Sequence, residues 1–316
     1  MDSQYWNLLG GIAPVFIIIT AGFMVRRLGW LTAESDKSLL RITINVLYPC
    51  LIYDSIMGNS ALDNIGNVVL APTVGFVTVA ASLALCALAA RVLPLDKVGA
   101  RTFAFTAGIY NYGYIPVPLV QKFFGRETMG MLFAHNLGVE IAFWTVGIYT
   151  LTHASSRKGN WREMLNAPVC AIIVSLILNF CHAHDWMPSF IATSAHMLAQ
   201  SSIPVALLIT GATFADQLLQ DHPRTIGKAI VPACVMRLLV LPVIMLLITK
   251  NLPCSIELKR VLVILAAMPA AMLPVVLTKH YGGDSNVAVQ VVLSTTLVGL
   301  LTIPWWIQWG MHFVGL

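Results

Sequence analysis

The chain has 316 residues, of which 58% are hydrophobic and 10% are charged, and its formal net charge is +5. Soluble domains carry about 25% charged residues, so this composition excludes an ordinary soluble protein and indicates a polytopic membrane protein whose partner is the lipid bilayer. The positive charges fall between long apolar runs. The net charge therefore relates to membrane topology and gives no reason to expect nucleic-acid binding.

Ten apolar segments are predicted to cross the membrane as α-helices. Most have about 20 residues, the length that spans the hydrocarbon core. The segments are 8–25, 38–56, 67–90, 101–121, 129–151, 166–182, 188–214, 226–249, 258–279 and 287–312. The longest connection, Thr152 to Leu165, leaves no room for a soluble domain, so the predicted fold is an all-α polytopic membrane protein.

The distribution of lysine and arginine predicts the orientation. Of the 19 such residues, 13 follow segments 1, 3, 5, 7 and 9, five lie on the opposite side, and Arg237 falls within segment 8. The positive-inside rule places the richer side in the cytoplasm and both termini outside. We therefore expect a multi-pass protein of the plasma membrane, which is the inner membrane of a bacterium.

The two halves of the chain share a proline pattern. Ala13-Pro14-Val15 recurs as Ala167-Pro168-Val169, Pro49 recurs as Pro204, and Pro116 recurs as Pro269, at offsets of 154, 155 and 153 residues. Five segments per half is an odd number, so the second half must enter the membrane upside down. The prediction is two inverted five-helix repeats, residues 1–156 and 157–316, an arrangement found in many secondary transporters.

Segments 4 and 9 are predicted to be interrupted helices. Residues 108–119 contain Gly113, Pro116 and Pro118, and residues 266–276 contain Pro269 and Pro274. Proline lacks a backbone N–H and clashes with the preceding turn, and glycine weakens a helix. Broken backbone at membrane depth is tolerated where it faces a cavity or other helices. These matching breaks therefore predict a central transport site.

Several motifs stand at and around these breaks. Asn111, Gly113, Pro118 and Leu119 form the pattern Asn-x-Gly-x-x-x-x-Pro-Leu, Met268-Pro269 leads to Pro274 and then to Lys279-His280-Tyr281, and Asn45, Pro49, Ser294-Thr295-Thr296 and Pro304 accompany them. Together these motifs resemble, over the whole chain, the auxin efflux carrier family of plant auxin exporters and bacterial malate or malonate permeases. The resemblance implies the crossover fold shared with bile-acid sodium symporters, in which one helix bundle moves against a scaffold.

Four half-helix ends would meet where the broken segments cross. Helix N-termini favour a carboxylate and helix C-termini favour a cation. The predicted substrate-binding residues are Asn111, Tyr112, Gly113, Pro116, Pro118, Pro269, Ala270, Ala271, Asn45 and Arg237. The Asn111 amide can bridge substrate and backbone, although an asparagine here could equally serve only to satisfy the broken helix.

Glu140 lies in the middle of segment 5, and Asn136, four residues earlier, shares its helix face. A charge at a helix centre costs roughly 2.5–3.5 kcal/mol on insertion scales and usually marks function. Together with Asn111 these oxygens would suit Na⁺ as the coupling ion, or Glu140 would carry a proton. The structural alternative is a neutral glutamate that is hydrogen-bonded to a neighbouring helix. No further cofactor is expected.

Arg237 and Asn45 each have more than one interpretation. Arg237 could pair with a substrate carboxylate, with Glu140 or with a backbone carbonyl, or it could extend to the membrane surface. Asn45 could line the cavity or make an interhelical hydrogen bond.

The six cysteines contain no Cys-x-x-Cys pair, and neither they nor His182 and His184 are expected to bind a metal.

The leading hypothesis is a secondary transporter of a small organic anion, a mono- or dicarboxylate such as malate, malonate or auxin, with elevator-type alternating access. Motifs of metalloproteases, serine hydrolases and prenyl transferases are absent, so an enzyme is not expected. The alternatives are an uncoupled uniporter, a channel or a membrane sensor.

Ala80, Ala84 and Ala87 lie near one face of segment 3 and would permit close helix contact, within the chain or in a homodimer.

Overall fold

The computed structural model describes residues 2–152, 165–219 and 227–316, and helices dominate these ranges. The described part contains no β-strand, and its one bridged pair, Tyr110 and Ala270, is isolated. The basic residues of the central connection and of a later one lie outside the described residues. They are Arg157, Lys158, Arg162 and Arg224.

The helices are labelled α1 to α15 in chain order. They are α1 Asp2–Arg27, α2 Ala33–Ile42, α3 Tyr48–Ile56, α4 Ile65–Ala90, α5 Lys97–Gly108, α6 Pro116–Ala142, α7 Ile148–Thr152, α8 Ala167–Phe180, α9 Ala183–Trp186, α10 Ser189–Leu219, α11 Ile230–Val235, α12 Leu241–Asn251, α13 Ile256–Ala266, α14 Leu273–His280 and α15 Ser285–Val314.

Within the described ranges, three π-helical turns join neighbouring α-helices into longer elements. Thr43–Leu47 connects α2 to α3, Phe143–Gly147 connects α6 to α7, and Met236–Val240 connects α11 to α12. A π turn holds one residue more than an α turn, and such turns are frequent at functional sites. Each turn therefore changes which side chains face the interior of the protein.

Both predicted breaks are present. After each break, the second half-helix has a proline in its first turn. Helix α5 stops at Gly108 and α6 begins at Pro116, while α13 stops at Ala266 and α14 carries Pro274 in its first turn. Proline is tolerated in a first turn because the N–H groups there have no intrahelical partner. Pro116 and Pro274 thus start the second half-helices, whereas the sequence interpretation has them interrupt a helix.

Seven helical stretches in the described ranges are long and apolar enough to cross a membrane. They are Gly10–Arg27, Glu34–Ile56, Ile65–Ala90, Pro116–Thr152, Ser189–Asp216, Ile230–Asn251 and Ser285–Val314. Helix α8 is apolar but shorter, and the interrupted segments consist of half-helices. Gly125, with a φ of 78°, makes a turn inside Pro116–Thr152, so the half-helix that begins at Pro116 is joined to the following long helix.

The helices pack in two groups. Helices α1 to α3, α8 and α10 form the first group, and α4 to α6 and α11 to α15 form the second. Arg126 of α6 joins the groups at one end of α3. Its Nε donates to the carbonyl of Asp54 at 2.9 Å, and its Nη2 donates to the carbonyl of Met57.

Glycine permits the closest helix contacts inside each group. Gly22 and Gly211 lie between α1 and α10, and Gly75 and Gly138 lie between α4 and α6. A Cβ atom at any of these four positions would overlap a backbone oxygen of the facing helix. Small residues at such contacts let backbones approach closely, which is the usual way that membrane helices pack.

Candidate functional site

The two interrupted segments cross side by side. The Asn111 N–H donates to the Pro269 carbonyl at 2.8 Å, and the Ala271 N–H donates to the Ile109 carbonyl at 3.0 Å. The isolated antiparallel bridge belongs to this crossing. Some of the backbone groups freed by the breaks therefore satisfy one another, which reduces the cost of unwound backbone inside a membrane.

A cavity of about 480 Å³ lies beside the crossing. Its lining residues are Thr43, Ile44, Tyr48, Asn111, Tyr112, Gly113, Tyr114, Glu140, Trp144, Leu165, Asn166, Pro168, Ala271, Met272 and Leu273. The volume falls within the roughly 300–1,000 Å³ of typical ligand sites, and the wall combines apolar side chains with a few polar groups. The cavity is therefore the candidate binding site.

The starts of both second half-helices face this cavity. Gly113 and Tyr114 precede α6, and Met272 and Leu273 lie at the start of α14. The residues at these two helix starts make no capping hydrogen bond through their side chains. The partial positive charge of these two helix N-termini favours the binding of an anion in the cavity.

Asn111 is almost fully buried at the edge of the cavity. Its Oδ1 accepts from the backbone N–H groups of Gly113 at 3.3 Å and Ile115 at 3.4 Å. This geometry supports the interpretation in which the asparagine stabilises the broken helix. Because the amide group also has N–H donors, the same side chain is chemically able to donate toward an anion in the cavity.

Glu140 reaches the cavity from α6. Its Oε1 accepts from the Tyr112 hydroxyl at 2.9 Å, and its Oε2 accepts from the Trp144 Nε1 at 3.0 Å. Each carboxylate oxygen thus has a donor, one from the break and one from the following π turn. The carboxyl group is held in a fixed position beside Asn111 and Tyr112, where a charge would act directly on a bound ligand.

Asn136 supports the break from the same face of α6. Its Nδ2 donates to the carbonyl of Tyr112 at 2.8 Å. Its Oδ1 is buried and has no hydrogen-bond partner among the described residues. A buried acceptor without a donor is costly, so this oxygen is available to a cation or to a donor that enters the site.

A family model described as a membrane transport protein matches the chain twice, over residues 8–156 and 149–307. The chain belongs to this family. The match confirms the resemblance to auxin efflux carriers that the motifs indicate. With its long apolar helices, this membrane transport protein is a multi-pass membrane protein.

Two relatives align along nearly the whole chain. An uncharacterized transporter of Methanothermobacter thermautotrophicus is 26% identical over 300 residues, which are 93% of this chain and 96% of the relative. An uncharacterized transporter of Methanocaldococcus jannaschii is 24% identical over 307 residues, 92% and 95% of the two chains. Protein ECM3 of Saccharomyces cerevisiae is 23% identical over 156 residues, 48% of this chain and 25% of that protein.

Arg237 of this membrane transport protein is fully buried but does not line the cavity. Its guanidinium carbon lies 5.4 Å from the centre of the Tyr110 ring. Its Nε and Nη1 have no hydrogen-bond partner among the described residues, and the two bonds of Glu140 come from other side chains. The aromatic face offsets part of the cost of the buried charge. Direct pairing with a substrate would require a rearrangement.

Asn45 also lies away from the cavity. It is exposed on its helix, and its Nδ2 donates to the Arg41 carbonyl of the preceding turn at 2.8 Å. From this part of the chain, the cavity wall contains Thr43, Ile44 and Tyr48 and does not contain Asn45. The cause is the π turn at 43–47, since one additional residue rotates the following side chains by about 100° relative to a regular helix.

The prolines and Ala270 shape the crossing without lining the cavity. Pro116 and Pro118 lie in the first turn of α6, the Pro269 carbonyl accepts the Asn111 hydrogen bond, and the Ala270 N–H donates to Thr295 Oγ1 at 3.2 Å.

The residues predicted from the sequence do not include Tyr48, Trp144 and Asn166, which line the cavity. These residues come from elements that are far apart in sequence, and only the packing of α3 and α8 against α6 brings them together.

Proposed function

We propose that the protein is a secondary active transporter of a small organic anion, a mono- or dicarboxylate like malate, malonate or auxin. The observation that carries this proposal is the crossing of two interrupted helices beside a cavity that both half-helix starts face. Membership of a membrane transport family supports transport as the general activity. The anionic substrate is inferred from the electrostatics of the helix starts.

Ten membrane crossings in two inverted repeats fit this proposal. The seven long helices, the shorter α8 and the two interrupted segments would together make ten crossings. The family model matches twice, with starts 141 residues apart, which supports a duplicated architecture divided near residue 156. Five crossings per repeat would invert the second copy, as in many carriers whose substrate binds at the interface of the repeats.

The substrate carboxylate would bind at the two half-helix starts. The partial positive charge of the helix starts at Tyr114 and Leu273 would attract it, and the Asn111 amide would donate from the side. Tyr112 and Ala271 would form the adjoining wall. A site assembled mainly from backbone and small side chains suits a compact acid, and 480 Å³ leaves room for water beside it.

Glu140 would provide coupling to a cation. Its negative charge repels an anion from the same cavity, so a proton or a sodium ion that neutralises it would favour substrate binding. The oxygens of Asn111, Asn136 and Glu140 lie around the break, and hard cations such as Na⁺ prefer oxygen ligands. We propose Na⁺ or H⁺ as the coupling ion, with Glu140 as the residue that senses it.

Alternating access would follow from movement of the second helix group against the first. The cavity lies between the groups, since Thr43, Tyr48 and Asn166 come from the first and the crossing comes from the second. An elevator-type displacement would carry the crossing past this wall. The proposed location is the plasma membrane, the inner membrane of a bacterium, with both termini outside. A homodimer through the first group is compatible with this movement.

Flux measurements in proteoliposomes test the proposal. Malonate, malate and indole-3-acetate are supplied in turn, and Na⁺ and pH gradients are imposed separately. We expect saturable flux of one acid that depends on one gradient and is lost in Asn111→Ala. Asn251→Ala is the matched control, because Asn251 is exposed and only donates to the Leu247 carbonyl of its own helix.

The other outcomes separate the alternatives. Saturable flux without dependence on either gradient would identify a uniporter and remove the coupling role of Glu140. Conductance that does not saturate would identify a channel. Absence of flux and of binding for all acids, with folded protein verified by its cooperative thermal transition, would contradict the anion proposal and favour a membrane sensor of the same fold.

A further inference from the structure

The turn between α8 and α10 brings together three side chains that can bind a metal. His182, His184 and Asp185 each offer one ligand atom, and these atoms lie within 4.8 Å of one another. His184 Nε2 is 3.3 Å from Asp185 Oδ1, and the centres of the two imidazole rings are 5.8 Å apart. All three side chains are exposed, so an ion in solution can reach them.

Contrary to the expectation from the sequence, we propose that these three residues form a binding site for a divalent transition-metal ion, with Zn²⁺ as the best-fitting ion. Zinc binds histidine nitrogen and carboxylate oxygen at about 2.0–2.2 Å in tetrahedral geometry, which places neighbouring ligand atoms about 3.3 Å apart. The spacing of His184 and Asp185 meets this requirement already. Two imidazoles favour zinc over Mg²⁺ and Ca²⁺, which prefer oxygen ligands. Water would occupy the fourth position.

The backbone of the turn is fixed before any ion binds. His182 has a φ of 47°, and it is the one residue other than glycine with positive φ in the described ranges. The His182 N–H donates to the Asn179 carbonyl, and the Asp185 N–H donates to the His182 carbonyl, both at 3.0 Å. Since the turn is already ordered, binding would require mainly side-chain rotation, which lowers its entropic cost.

The turn also packs against the connection that follows α3. A Cβ atom on Gly58 would lie 3.6 Å from His184 Cγ, which places the histidine ring directly over this glycine. The Tyr53 hydroxyl donates to Met187 Sδ at 2.8 Å, so the turn is anchored to α3 on its other side. A bound ion would therefore stiffen the end of the first helix group that Arg126 of the second group contacts.

Metal titrations test this site directly. Protein purified without a histidine tag is titrated with Co²⁺, whose visible spectrum reports tetrahedral coordination, and with Zn²⁺ by calorimetry. We expect one ion per chain. His182→Ala and His184→Ala should each weaken binding by more than the roughly 10–100-fold that loss of an outer-shell partner costs. Mg²⁺ at the same concentration should give no binding heat.

His196→Ala is the matched control. His196 Nδ1 lies 3.1 Å from Asp54 Oδ2, and this histidine–aspartate pair is exposed. The pair has a single imidazole and does not belong to the cluster of His182, His184 and Asp185. Zinc binding should be unchanged in this variant. Unchanged affinity in His182→Ala and His184→Ala, or no saturable binding to the wild type, would overturn the proposal. The site does not depend on the transport activity, so the two proposals are tested independently.

Discussion

The backbone N–H of Asn111 donates a 2.8 Å hydrogen bond to the carbonyl of Pro269, which joins the two halves of the chain at the crossing. The side chain of the same asparagine accepts from the amides of Gly113 and Ile115. The backbone of Asn111 thus maintains the crossing, and its side chain maintains the helix break. Substitutions of this side chain leave the first contact in place and test the second.

Asn111→Asp separates the two roles of this side chain. Aspartate keeps an oxygen acceptor for the Gly113 and Ile115 amides, but its charge is almost fully buried, so some thermal stability should be lost. It replaces the amide donor by a negative charge beside the half-helix starts, so anion affinity should fall at least about tenfold. Equilibrium binding of the transported acid and the melting temperature measure the two effects. Wild-type affinity in Asn111→Asp would exclude substrate contact.

Asn111→Ala serves as the comparison. Alanine leaves both backbone amides of the break without their acceptor, which should cost about 1–3 kcal/mol of stability. The melting temperature of Asn111→Ala should therefore be lower than that of the wild type. An unchanged melting temperature would show that Oδ1 does not stabilise the break.

Glu140→Gln should abolish gradient-driven transport while substrate binding persists. Glutamine cannot change its charge with a bound cation, and so the coupling that we propose is lost. One structural side effect is expected, because the new amide group cannot satisfy both the Tyr112 and the Trp144 donors as two carboxylate oxygens do. Trp144→Phe removes one donor alone and should keep the ion dependence. Flux with wild-type Na⁺ or pH dependence in Glu140→Gln would contradict the prediction.

Arg237→Met should raise thermal stability. The guanidinium is fully buried and two of its nitrogens have no hydrogen-bond partner among the described residues, and a charge at membrane depth costs roughly 2.5–3.5 kcal/mol on insertion scales. Methionine is unbranched and apolar, and its sulfur packs well against an aromatic ring such as that of Tyr110. Arg260→Met is the control, since Arg260 lies at the same 5.4 Å from the Phe124 ring but is only half-buried. A lower melting temperature in Arg237→Met would mean that the charge stabilises the fold.

Gly138→Ala should destabilise the second helix group. The added Cβ would overlap the Pro72 carbonyl oxygen of α4, and because that oxygen belongs to the backbone, the helices themselves must separate. Overpacking of this kind costs about 1–3 kcal/mol or more. Gly10→Ala is the control, since a Cβ there meets no atom within 4 Å. Equal melting temperatures for the two variants would contradict this account of the packing.

The sequence predicts the helical class, the two breaks and the family, because each depends on local chemistry. Apolar runs of about 20 residues indicate membrane helices. A lone proline lies inside a long helix at Pro72 and at Pro204, whereas each of the two breaks contains two prolines close together. Glu140 stands out because an isolated charge in an apolar run is costly. For the same reason Arg237 is recognisable as buried, but its position beside Tyr110 and away from the cavity follows from packing.

Other features depend on geometry that the sequence does not reveal. Asn45 is expected in the cavity as a polar residue of the motif that it forms with Pro49, but it lies exposed in the π turn at 43–47, and Thr43 and Tyr48 line the cavity. Trp144 lies in a second π turn and is not distinguishable by sequence from other membrane tryptophans. His182 and His184 lie close together in a turn in which His182 adopts a left-handed conformation, and the sequence does not predict this turn. Departures from regular helix geometry therefore account for most of what sequence reasoning misses.

Arg126 has a consequence for the speed of the transport cycle. Its side chain belongs to the helix group that would move, yet it satisfies the Asp54 and Met57 carbonyls of the other group. Hydrogen bonds to a charged group contribute about 1.5–3 kcal/mol each, and these carbonyls would have to exchange this donor for water before the groups separate. The contact would thus add to the activation barrier of every turnover while leaving the affinity for substrate unchanged.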